Sequence, residues 1–64
     1  MRVDFKHHQT GETILTIASK DLFLPRRGEN VFINDYLYDV YKVHHFYSTD
    51  VVNPIRVEVD LIPR

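Results

Sequence analysis

The chain has 64 residues, no cysteine, and 8 Lys and Arg against 9 Asp and Glu, a net charge of −1. That length admits one small domain, residues 1–64. The composition excludes a disulfide framework, a Cys-ligated zinc and a thiol nucleophile, and the charge balance argues against a strongly basic nucleic-acid binder.

Residues 2–8 alternate, with Val3 and Phe5 on one side and Arg2, Asp4 and Lys6 on the other. This period of two predicts a half-buried strand. Gln9-Thr10-Gly11-Glu12 reads as a turn, with Gly11 free to take positive φ. Residues 13–18 form a second predicted strand with Leu15 and Ile17 inward. Ile14, Thr16 and Ala18 lie on its other face.

Residues 19–30 break the alternation. Pro25 cannot donate to a central ladder, so this stretch is expected to be a loop. Leu22 and Leu24 tuck back onto the core, and one helical turn is placed within 19–24. Residues 31–33 give a short strand. Asn34-Asp35 gives a tight hairpin turn, because both residues tolerate left-handed φ. Residues 36–47 form the longest strand. Its apolar phase changes between Val40 and Val43, which calls for a bulge or bend near Tyr41-Lys42. After a second loop, residues 55–61 alternate cleanly, with Ile55, Val57, Val59 and Leu61 inward.

Eight Val, five Ile, four Thr, four Phe and four Tyr against one Ala support the strand reading. These side chains fit a pleated sheet and lose freedom in a helix. Five short strands connected as a meander should curl and close, which removes exposed edges. The expected fold is all-β, a five-stranded SH3-like small barrel. An OB-fold is disfavoured, because a two-residue turn stands between strands three and four where that fold carries a helix. A domain this short buries only about 60% of its unfolded surface. It must therefore close tightly by itself or borrow core from a second copy.

The stretch Pro25-x-x-Gly28-Glu29-x-Val31-x-Ile33, followed by Tyr38-x-Val40-x-x-Val43, resembles a pattern of small SH3-like barrels. There a Pro–Gly–acidic turn feeds a strand, a tight hairpin follows, and an aromatic-x-Val strand bends. The chain is also similar to short uncharacterised proteins of bacteria and their phages. The resemblance covers about half of the sequence and implies a fold rather than an activity. The chain has no Trp, which argues against the Pro-rich peptide binding of many SH3 domains.

The aromatic surplus is the strongest functional signal. Tyr36, Tyr38, Tyr41, Phe46 and Tyr47 on one strand cannot all face inward. Tyr and Phe are enriched at interface cores, although Tyr rings also lie along ordinary surfaces. The expected function is a non-enzymatic protein-interaction module, either self-associating as a homo-oligomer or binding another protein. A phage-type accessory or inhibitor protein fits its size. Its partner-binding residues are Phe23, Arg26, Arg27, Tyr36, Tyr41, Phe46 and Tyr47.

The alternative is a small-anion or nucleic-acid-binding barrel using Lys20, Arg26, Arg27 and Gly28. Arginine offers a planar fork for phosphate, and glycine lets backbone amides approach. Nucleic acid is disfavoured because the net charge is −1 and acids punctuate the first, fourth and fifth strands. The pairs His7-His8 and His44-His45 each have one member per sheet face, so at most one from each pair reaches a shared site. They read as amphipathic strand surface, and no metal or cofactor is assigned. No triad spacing is present, and no catalytic residue is assigned. No apolar run is long enough to span a membrane as a helix. No apolar leader follows Met1, and the expected location is the cytoplasm.

Overall fold

The structure, a computed structural model, describes residues 1–18, 24–49, 52 and 55–64. The alternating segments form five strands: β1 (Arg2–His7), β2 (Thr13–Ala18), β3 (Asn30–Ile33), β4 (Tyr36–Tyr47) and β5 (Ile55–Pro63). No helix occurs among the described residues. The helical turn expected within 19–24 falls largely on residues 19–23, which lie outside them.

The strands make one sheet in the order β2-β1-β5-β4-β3. The β1–β2, β3–β4 and β4–β5 pairs are antiparallel. β1 and β5 pair in parallel, Val3 beside Val57 and Phe5 beside Val59. A continuous meander would set β3 beside β2; here those two strands lie at opposite ends of the order. β5 occupies the centre, where a strand is flanked on both sides. It carries the cleanest apolar alternation, and Val57, Val59 and Leu61 are all fully buried.

Val3, Phe5, Ile33, Val40, Val57, Val59 and Leu61 form the core. Ile33 comes from the strand at one end of the order; Ile14 and Ile17, from the strand at the other end, pack on the same cluster. The sheet is therefore curled around one interior, nearly closed and barrel-shaped, consistent with a small SH3-like barrel. Leu24 also packs against this cluster, as expected; Leu22 lies outside the described residues.

Two inward expectations need correction. Leu15 pairs with Phe5 but is 37% exposed. The register shifts between Phe5 and Lys6, so Lys6 pairs with Thr13 and Ile14 is the extra residue. The bulge lets Ile14 pack on the core beside Ile17. Ile55, at the start of β5, is 38% exposed because the core ends before it.

The phase change in β4 is resolved by a second bulge. Val40 pairs with Leu61 and Lys42 with Asp60, leaving Tyr41 as the extra residue. Val43 then opposes Val59, so both halves of β4 present valine to the interior. The β3–β4 hairpin turns on Asn34 and Asp35, with φ of 50° and 67°. Positive φ at both central residues is the I′ geometry that matches strand twist.

Among the described residues, one acid is buried. Asp4 faces away from Val3 and Phe5 but is only 2% exposed. The Thr16 hydroxyl donates to its Oδ1 at 2.7 Å, and the Arg2 Nε donates at 3.2 Å. Burial by itself raises the Asp4 carboxyl. The Thr16 and Arg2 hydrogen bonds, with the charges of Arg2 and Lys6, outweigh burial and hold it below its usual value.

Two outcomes follow from this packing. Asp35→Val places a β-branched side chain at positive φ and should cost about 1–2 kcal/mol in urea unfolding, whereas Asp35→Gly should not. Equal stability of the two variants would contradict the turn geometry. Asp4→Asn should be less stable than the parent at pH 7 by about 1–3 kcal/mol. A depressed carboxyl stabilises the fold above its unfolded value of 3.8 and loses that contribution as pH falls through the lower native value. The difference between parent and variant should therefore shrink in strong acid. A difference that stays constant from neutral to strongly acidic pH would remove Asp4 from this role.

Candidate functional site

β5 sets the chemistry of the outer face. Its outward residues Arg56, Glu58 and Asp60 alternate with the buried valines and leucine. Lys6 on β1 reaches Glu58 at 3.2 Å, and Arg56 reaches the same carboxylate at 3.2 Å. Asp60 lies between His8, at 3.7 Å, and His44, at 3.2 Å. One member of each His-His pair thus reaches one carboxylate, although β1 and β4 are not neighbours; β5 between them supplies the link. Among the described residues, no group of three or more His, Asp and Glu side chains is arranged to hold a metal ion. His7 belongs to the β1 turn, where its Nδ1 accepts the Gln9 amide at 3.2 Å.

The residues expected to bind a partner do not form one patch. Tyr36 stands at the hairpin end of β4, 71% exposed and opposite Ile33, and Phe32, opposite Leu37, is 70% exposed. Tyr41 is half-buried at the bulge. Its ring lies 4.2 Å from that of His8, with the Lys42 ammonium 5.3 Å from its centroid. Phe46 and Tyr47 are at the far end of β4, roughly 35 Å along the strand from Tyr36. Arg26 and Arg27 are exposed in the loop before β3. Phe23 and Lys20 lie outside the described residues.

Two concave regions gather these side chains. The first is a cleft of about 330 Å³ at the far end of β4 and β5, lined by Arg2, Phe46, Tyr47, Ser48, Ile55 and Arg56. The parallel register sets Arg2 beside Arg56, and Phe46 pairs with Arg56 from the other side. The Arg56 guanidinium lies 4.4 Å from the Phe46 centroid, a cation–π geometry. Tyr47 is 76% exposed, and its ring stacks on His45.

The second is a cleft of about 410 Å³ between the loop before β3 and the middle of β4. Leu24, Pro25 and Val43 give it an apolar floor; Arg26, Arg27, Lys42, His44 and His45 supply its polar walls. Backbone bonds fix the loop. Gly28 donates to the Val40 carbonyl at 2.9 Å, and Val40 donates to that of Glu29 at 2.9 Å. The Glu29 carboxylate accepts the Arg26 amide and closes the turn. Gly28 has φ of +90°, which a side chain would resist.

Sequence reasoning missed Arg2, Ser48, Ile55 and Arg56 in the first cleft, and Lys42, His44 and His45 as part of the second. Lys42 and His44 carry a local signal, since they alternate on one strand. Arg2 and Arg56 carry none, because only the parallel β1–β5 pairing unites them. No helix among the described residues is long and apolar enough to cross a membrane. No protein-family model, curated protein or solved structure matches this chain.

Proposed function

We propose that the protein is a non-enzymatic interaction module whose contact surface is the cleft at the far end of β4 and β5. One observation carries the reading: Phe46 and Ile55, 42% and 38% exposed, and Tyr47 at 76% surround a concavity flanked by Arg2 and Arg56. Aromatic and arginine side chains are the residue types that dominate binding energy at protein interfaces. Their backbone is held in β1, β4 and β5, so association has side chains to order rather than chain. Both arginines keep carboxylate partners, Asp4 and Glu58. They shape the rim, and the rings and Ile55 supply the apolar contact. The occupant is a polypeptide, either a second copy of this chain or another protein. Cytoplasmic action as an accessory protein of bacterial or phage type accords with the size and the sequence resemblance.

The test compares the parent with Phe46→Ala/Tyr47→Ala by native mass spectrometry, both purified and in cell extract. The parent should appear as a multiple of 7.6 kDa or with an added polypeptide mass. The variant should be monomeric with an unchanged fold, the complex weakened about thirtyfold or more. A parent that stays a bare 7.6 kDa species in both settings overturns the proposal.

A further inference from the structure

The cationic cleft points to a second, independent binding site. Seven of the eight Lys and Arg residues are described, all but Lys20. Four of them have a carboxylate close by: Arg2 with Asp4, Lys6 and Arg56 with Glu58, and Arg64 with Asp39, at 3.2–3.3 Å. The other three, Arg26, Arg27 and Lys42, make no ion pair among the described residues, and all three line the same cleft. His44 and His45 also line it, and among the described residues no carboxylate side chain does. The acids nearest in the bonding pattern are engaged elsewhere: Asp60 with His8 and His44, and Glu29 with the Arg26 amide.

Like charges converging without a counter-charge repel one another, and a bound anion relieves that repulsion. The loop that brings them together is fixed to β4 by backbone hydrogen bonds, so the arrangement is built in before any ligand arrives. We infer that this cleft binds a small ligand carrying several phosphate charges, with Arg26 and Arg27 as forks and Lys42 as a point charge on the opposite wall. Three uncompensated cations suit a di- or triphosphate better than a single carboxylate. Leu24, Pro25 and Val43 accommodate an uncharged organic portion. A nucleic-acid strand fits less well. The other described cations are already neutralised, and Asp39, Glu58 and Asp60 mark the adjoining outer face, so the backbone charge has no continuing track.

The probes are inorganic phosphate, pyrophosphate and tripolyphosphate at matched ionic strength, followed by amide chemical shifts of the full chain. Saturable shifts should appear at residues 26–28 and 42–45, with affinity rising from phosphate to tripolyphosphate. Arg26→Glu/Arg27→Glu, and separately Lys42→Glu, should lower tripolyphosphate affinity about tenfold or more. These positions are exposed, and the milder Arg26→Gln/Arg27→Gln should give an intermediate loss with an unaltered spectrum elsewhere. Phe46→Ala/Tyr47→Ala should bind tripolyphosphate as the parent does, which separates this site from the proposed interface. Shifts that do not saturate, or equal affinity in the charge-reversed variants, overturn the inference. So does a single-stranded oligonucleotide that binds more tightly than tripolyphosphate and shifts amides across the outer face.

Discussion

The parallel pairing of β1 with β5 holds the sheet together. It joins the first strand to the last and seats Val57 and Val59 beside Val3 and Phe5. Without it the chain would be two separate pieces, the β1–β2 hairpin and the β3–β4–β5 unit. The hairpin by itself would be marginal at best, and the β3–β4–β5 unit would lack Val3 and Phe5 against its buried valines. With it, every core residue comes from β1, β3, β4 or β5 and faces one interior. The pairing joins opposite ends of the sequence and carries a loop-closure cost that local hairpins do not. Fully buried Val3, Val57, Val59 and Leu61 offset that cost.

The same strand organises the outer face. β5 places its acids in the middle of the sheet, where Lys6, His8 and His44 reach them from the two sides and Arg56 from β5 itself. Glu58 takes Lys6 and Arg56, and Asp60 takes His8 and His44. Half-exposed pairs of this kind contribute little stability each. Together with the Arg2–Asp4 pair they leave Lys42 as the one strand Lys or Arg without an ion pair among the described residues. Two features remain uncompensated: exposed rings around the far cleft, and three cations around the cleft below the β3 loop. A weakly charged chain thereby acquires one cleft edged by exposed rings and one walled by cations without ion pairs among the described residues.

The bulge at Tyr41 is what lets β4 serve both regions. It keeps Val40 and Val43 on the core side although their sequence spacing is odd. It also turns Tyr41 toward His8 and places Lys42 and His44 beside the arginine loop. Tyr41 is therefore engaged within the molecule, while Phe46 and Tyr47 stay open at the strand end. A ring count along β4 cannot make that distinction, because exposure depends on neighbours contributed by β1 and β5.

Local structure was legible in residue order. Alternation located the five strands, Asn34-Asp35 marked the hairpin, and the broken phase of Val40 and Val43 marked the bulge. Each is a property of a few successive residues, governed by side-chain direction and backbone sterics. Adjacency came from the folding of distant segments together. The placement of β5 between β1 and β4, the burial of Asp4 under Thr16, and the pairing of Arg2 with Arg56 join residues far apart in the chain. The gathering of Lys42, His44 and His45 with Arg26 and Arg27 is of the same kind. Strand patterns specify which face is apolar; they do not specify which strand lies alongside, because any apolar face satisfies another and the choice rests on closing one shared core.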